Sequence, residues 1–216
     1  FSSLSSIQED KERVRYAYIR ATRYIAAITF PLMIGLLALA PQFVMVVFGP
    51  QWERSIFLLQ VFALIGLIQS VGTTVGWIYQ SQGRADIMFR WGLFSVSIIV
   101  PAIVLGLRWG VEGVTIAYAT AAFLLLYPAL AIPFKLIDLK FTHFIKQFKS
   151  ISLSAIGMGG IIFALSLFME NNLGVGNLII LVSSVIIGIA SYAGILFVLD
   201  RNLYKEVFEL LRELRS

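Results

Sequence analysis

The sequence has no cysteine and one histidine, His143, among its 216 residues. The first absence removes any disulfide framework and any thiolate metal site. The second leaves an imidazole that can complete neither a metal centre nor a catalytic triad by itself. Charge is scarce as well. Asp, Glu, Lys and Arg make up 13% of the chain, roughly half their share in a soluble domain. A globular fold of this length needs a polar skin, and there is too little polar material to make one. Carboxylates at a shared face, which enzymatic acid–base chemistry requires, are missing too: Glu53, Glu112 and Glu170 stand on short turns at least one helix apart. No cofactor is implied by any of these residues.

What is abundant is apolar. Hydrophobic residues are 59% of the chain, and the mean hydropathy is +0.88. A bilayer supplies the apolar exterior that such a chain needs, and it demands helices of about 20 residues with every backbone group satisfied internally. The expected fold is therefore all-α and membrane-embedded. Six spans are read, at about residues 24–40, 55–80, 87–107, 111–134, 150–169 and 178–199. Residues 1–23 form a polar, charged segment before the first span. Pro41 is expected to stop or bend the first helix, and residues 42–48 are too short to cross. Gly49, Pro50 and Trp52 make a turn with an interfacial aromatic. Pro128 and Pro133 are expected to kink or finish the fourth helix. Gly157, Gly159 and Gly160 on the fifth are expected to permit close helix packing.

Counting basic residues gives the bundle a direction. If the N-terminal segment is cytoplasmic, the segments on its side hold five, two, four and four Lys/Arg, and the opposite turns hold only Arg54 and Arg108, out of 17. A missed or invented helix would scramble that alternation, so the count supports six spans and both ends in the cytoplasm. The net charge of +5 is thus read as membrane orientation, with no nucleic-acid partner. Residues 200–216 place Leu203, Val207, Leu210, Leu211 and Leu214 at helical spacing among charges of both signs, the pattern of an interfacial amphipathic helix.

The polar groups inside the spans are few and patterned. Gln69, Thr73, Gly76 and Gln80 fall within about 60° of one another at 100° per residue, with Phe62 and Gly66 continuing the stripe. Two amides and a hydroxyl on one face of a membrane helix either bind neighbouring helices or line a watery path. Arg84 and Arg90 flank the cytoplasmic end of that helix and the next, with Asp86 between them, and Arg20 and Arg23 stand at the cytoplasmic end of the first. Orientation and anionic headgroups explain them simply. A sharper reading makes some of them a guanidinium entrance for a phosphate-bearing substrate, since Arg grips phosphate oxygens in a bidentate way. Trp52, Trp77, Trp91 and Trp109 all fall near span ends and read as an interfacial belt.

Several phrases resemble a known family. Phe1-Ser-Ser-Leu-Ser, a charged segment and a span with Phe30-Pro31-Leu-Met-Ile-Gly-Leu are followed by Ala40-Pro-Gln-Phe-Val-Met-Val-Val-Phe-Gly49-Pro-Gln-Trp52 and Leu59-Gln60. Gln82-Gly83-Arg84 and Trp109-Gly-Val-Glu-Gly113 come later. Together they resemble the C-terminal half of the polysaccharide transporter family, within the superfamily of multidrug, oligosaccharidyl-lipid and polysaccharide exporters. The chain opens at Phe1 rather than methionine and is expected to be part of a longer one. The resemblance implies about fourteen helices in two lobes around a central cavity. These spans would be the last six, with the N-terminal lobe of the same chain as their partner. It also implies alternating access that carries an undecaprenyl-diphosphate-linked oligosaccharide across the bacterial inner membrane, among membrane lipids. A lipid II flippase or multidrug exporter of the same superfamily, a polysaccharide polymerase or ligase, and a non-transporting scaffold are the rival readings.

Overall fold

The computed structural model describes residues 11–203. The greater part of the expected amphipathic tail lies outside the described residues. Every regular element is helical, with no strand among the described residues. Among the described residues, five stretches are long and apolar enough to cross a membrane: Lys11–Ala38, Ser55–Ser81, Ala85–Leu136, Lys149–Leu173 and Asn177–Leu199.

Helix α1 spans Lys11–Ala38, so the basic run through Arg23 is wound into the same helix as the apolar span. It ends because Pro41 has no N–H and its ring would clash with the carbonyl four residues back. The chain breaks at Leu39 (φ −106°, ψ 14°), and Pro41 instead opens a short helix, α2, at Ala40–Val47. A tight turn over Pro50–Trp52 follows. Helix α3 covers Ser55–Gly72, tightens to 3-10 winding at Thr73–Val75, and resumes as α4 at Gly76–Ser81.

The 52-residue stretch Ala85–Leu136 contains two helices, α5 (Ala85–Gly106) and α6 (Gly110–Leu136), joined by a 3-10 turn at Leu107–Trp109. Gly110 sits at φ +69°, a left-handed conformation in which a side chain would be strained. Helix α6 runs through both Pro128 and Pro133 to Leu136, so neither proline finishes it. A short helix α7 (Phe141–Lys146), then α8 (Lys149–Phe168), a π-helical turn at Met169–Leu173 and α9 (Asn177–Leu199) complete the chain.

The chain divides into two compact units, Phe1–Ala26 with Ile65–Phe148, and Ala27–Leu64 with Lys149–Ser216. In the first, α5 and α6 pack so closely that a Cβ on Gly106 would lie 2.7 Å from the Gly113 carbonyl oxygen. The start of α1 is anchored by buried aromatics: Tyr18 stacks on Phe144 at 5.8 Å between ring centroids, and Phe134 meets Phe144 edge-on at 4.7 Å. Lys11 Nζ pairs with Asp138 Oδ2 at 3.1 Å beside this cluster.

The second unit pairs α8 with α9 beside α2 and the C-terminal part of α1. Of the three glycines on α8, Gly159 has its Cβ position 2.5 Å from Ile34 Cγ2 and Gly157 has its own 3.1 Å from Ile195 Cδ1, whereas Gly160 faces open space. Pro31 lies inside α1 and cannot donate to the carbonyl of Ala27, its partner four residues back. The Tyr192 hydroxyl donates to that carbonyl instead, at 2.7 Å. In a medium without water this replaces a bond whose loss would be costly.

Candidate substrate-path site

The polar stripe of the Ser55–Ser81 rod lies on its exposed side. Val71, Thr74, Ile78 and Tyr79 are buried, while Gln69, Thr73 and Gln80 are exposed. Amphipathic winding explains the division, since the apolar side chains and Thr74 take the inner azimuth and leave the amides on the other. Thr74 is reconciled with burial by donating to the Val71 carbonyl at 2.6 Å and lying 3.4 Å from the Tyr18 hydroxyl.

The exposed groups are partly organised. Gln69 Nε2 donates to the Tyr118 hydroxyl of α6 at 2.7 Å, and Thr73 Oγ1 donates to the Gln69 carbonyl at 2.9 Å. Gln69 therefore keeps its amide oxygen free to accept while Tyr118 holds its nitrogen. Nothing in the sequence marks Tyr118 out, because a single tyrosine amid Ile116, Ala117 and Ala119 gives no sign of a partner 49 positions away. Trp77, read there as part of an interfacial belt, lies next to Gly76 on α4 and is 55% exposed. Gln69, Thr73 and Tyr118 thus offer amide and hydroxyl groups, which meet sugar hydroxyls.

The arginines fall into different circumstances. Arg20 Nε donates to the Tyr24 hydroxyl at 2.8 Å, with the guanidinium 5.6 Å from that ring's centroid. Arg23 is half-buried one turn further on. Arg84 caps the N-terminus of α5 and spends its fork on Asp86, with Nε to Oδ1 at 3.0 Å and Nη2 to Oδ2 at 3.2 Å. That hydrogen bonding, and then the Asp86 charge, pushes the Arg84 pKa above its ordinary value. Arg90 is exposed on α5 and makes no ion pair among the described residues. Of the seven residues that the sequence singles out, the structure joins Gln69 to Thr73 directly and leaves Gln80 on α4, beyond the 3-10 turn.

The second unit holds a different surface, a groove of about 730 Å³ lined by Pro31, Gly35, Met158, Ser184, Gly188 and Tyr192 among other residues. It is almost wholly apolar and offers sugar chemistry little to bind.

Residues 1–57 match the family of polysaccharide biosynthesis proteins. The likeness to that family is confined to this N-terminal stretch. The chain is 34% identical over 119 residues to the lipopolysaccharide biosynthesis protein WzxC of Escherichia coli K12, covering 55% of this chain and 24% of that protein. It is 32% identical over 78 residues to the teichuronic acid biosynthesis protein TuaB of Bacillus subtilis, covering 36% and 16%. It is also 27% identical over 107 residues to the succinoglycan biosynthesis transport protein ExoT of Rhizobium meliloti, covering 49% and 22%. The matches span about a quarter or less of these relatives' lengths. No solved structure matches the chain. The apolar helices, together with this similarity, make the chain a multi-pass membrane protein.

Proposed function

We propose that this chain is the C-terminal part of a flippase that carries undecaprenyl-diphosphate-linked oligosaccharide units across the bacterial inner membrane by alternating access. One observation carries the reading: the amide and hydroxyl groups of Gln69, Thr73 and Gln80 lie exposed on an apolar helix that has an apolar face available for its own packing. Polar groups set at membrane depth away from their own unit's core suit a path for a hydrated cargo. The relatives' roles in lipopolysaccharide, teichuronic acid and succinoglycan biosynthesis, one of them named as a transport protein, support the cargo class.

The physics is substitution. Gln69 with Tyr118, Thr73 and Gln80 replace water around sugar hydroxyls, and Arg20, Arg23 and Arg90 face the diphosphate near the cytoplasmic surface, while the lipid tail stays among membrane lipids. Arg84 joins them only by giving up Asp86. In this reading α5 and α6 cross separately, giving six crossings with both ends of the chain cytoplasmic. An N-terminal lobe of the full-length protein covers the exposed stripe and completes the path. No enzymatic step is needed.

Complementation of a flippase-null strain tests the proposal. Full-length protein should restore polysaccharide export, and a Gln69→Leu/Gln80→Leu variant should lower it about tenfold at equal membrane level, the scale of one to two lost hydrogen bonds. Replacement of Arg23 or Arg90 by Gln should lower it as well. Inserted full-length protein that leaves lipid-linked units accumulating on the cytoplasmic side would sink the flippase reading. A double-Leu variant of undiminished activity would remove the stripe from the path.

A further inference from the structure

The rod from Ser55 to Ser81 changes its winding part-way, and the sequence around the change is unusual. Thr73–Val75 forms a 3-10 turn between α3 and α4, and such a stretch within a helix often marks a hinge. Three hydroxyls bond back to nearby carbonyls there: Ser70 Oγ to Leu67 at 2.8 Å, Thr73 Oγ1 to Gln69 at 2.9 Å and Thr74 Oγ1 to Val71 at 2.6 Å. Back-bonding of this kind competes with the helical ladder and bends helices.

Gly72 and Gly76 bracket the turn. Their backbone angles, −67°/−35° and −53°/−34°, are open to any residue. A Cβ on Gly72 would meet nothing within 4 Å, and one on Gly76 only Met88 Cε at 3.8 Å. Neither steric room nor dihedral angle in this conformation calls for glycine, although glycine weakens a helix interior relative to alanine. Glycine at both ends leaves the backbone of this segment free to rewind.

The geometry says what that conformation changes. An α-helix turns about 100° per residue and a 3-10 helix about 120°. On uniform α winding Gln69 and Gln80 stand about 20° apart around the axis, and three residues at 3-10 winding carry Gln80 roughly 60° further and lengthen the rod by about 1.5 Å. We propose that Gly72–Gly76 is a twist hinge: rewinding Thr73–Val75 between 3-10 and α geometry moves the Gln80 carboxamide in and out of line with Gln69. Tyr118 holds Gln69 and the aromatic cluster around Tyr18 adjoins Thr74, so the rotation appears at α4 and at the turn into α5. Its purpose, remodelling the substrate path, rests on the flippase reading, whereas the hinge itself does not.

Amide hydrogen exchange on the full-length protein in lipid nanodiscs is the test, beside export by the same variants in cells. Amides of residues 73–78 should exchange at least about tenfold faster than those of 60–68. Gly72→Ala/Gly76→Ala should slow them about tenfold and lower export several-fold at equal membrane level. Gly92→Ala, a helical glycine of α5 with equally open space, should change neither readout. If the double variant inserts poorly, Gly72→Ala and Gly76→Ala singly carry the same comparison. Uniform protection across 55–81, or an Ala variant that exports at the parental rate, overturns the hinge. Fast exchange that Ala suppresses, in a parental protein that moves no lipid-linked cargo, leaves the hinge standing and removes the flippase reading.

Discussion

Tyr192 and Pro31 show how a single residue's defect is answered elsewhere. Pro31 deprives the Ala27 carbonyl of its helical donor, and the Tyr192 hydroxyl supplies another at 2.7 Å across 165 positions. Tyr192→Phe should lower stability by about 1 kcal/mol, read as thermal unfolding of the full-length protein in detergent. In a Pro31→Ala background residue 31 regains its N–H and serves that carbonyl, so the same change should cost less than half as much. Equal losses in the two backgrounds would show that the tyrosine does something else. At this scale proline was legible in the sequence and its remedy was not, because hydropathy carries no trace of a bond to another helix. Gln69 repeats the lesson: its place on a polar stripe follows from 100° spacing, whereas its bond to Tyr118 follows from the packing of α6.

Among elements, α8 illustrates what small residues do between helices. Hydrophobic attraction between membrane helices is weak, so close contact has to come from shape. Gly159 permits that contact, with Ile34 Cγ2 only 2.5 Å from where its Cβ would be, while Gly160 next to it faces open space. Gly159→Ala should therefore destabilise by about 1–3 kcal/mol through overpacking against a β-branched side chain. Gly160→Ala should be neutral or slightly stabilising, since only helix propensity changes. Unfolding temperatures of the two variants in one detergent would check the pair, and similar shifts would refute the contact. The cluster of glycines was visible in the sequence as a whole; which of them touches another helix was not. Helix ends behaved in the same way. Pro41 marks the break before α2, yet Pro128 and Pro133 lie inside α6, because a bundle can satisfy the backbone groups that a proline frees.

For the whole molecule, the number of crossings turns on the stretch Ala85–Leu136, where the α5–α6 turn at Leu107–Gly110 either emerges from the bilayer or does not. The cysteine-free sequence makes the question direct. With cysteines elsewhere in the full-length protein replaced, a membrane-impermeant maleimide added outside should label Gln51→Cys, Arg108→Cys and Asn172→Cys but not Lys140→Cys. Failure at Arg108, or labelling of Lys140 from outside, would overturn six crossings with cytoplasmic ends. Membrane character, helical content and the basic bias of alternate turns were determined by the sequence alone, for they are sums over side-chain chemistry and need no knowledge of neighbours. The phrases that resemble the polysaccharide transporter family belong to the same level. Only the tertiary structure decided which azimuth of the Ser55–Ser81 rod is buried, that the stripe of Gln69, Thr73 and Gln80 is the one left exposed, and that the rod tightens at Thr73–Val75. Spacing puts residues on a common face, but which face packs is set by the shapes of helices far away in the chain.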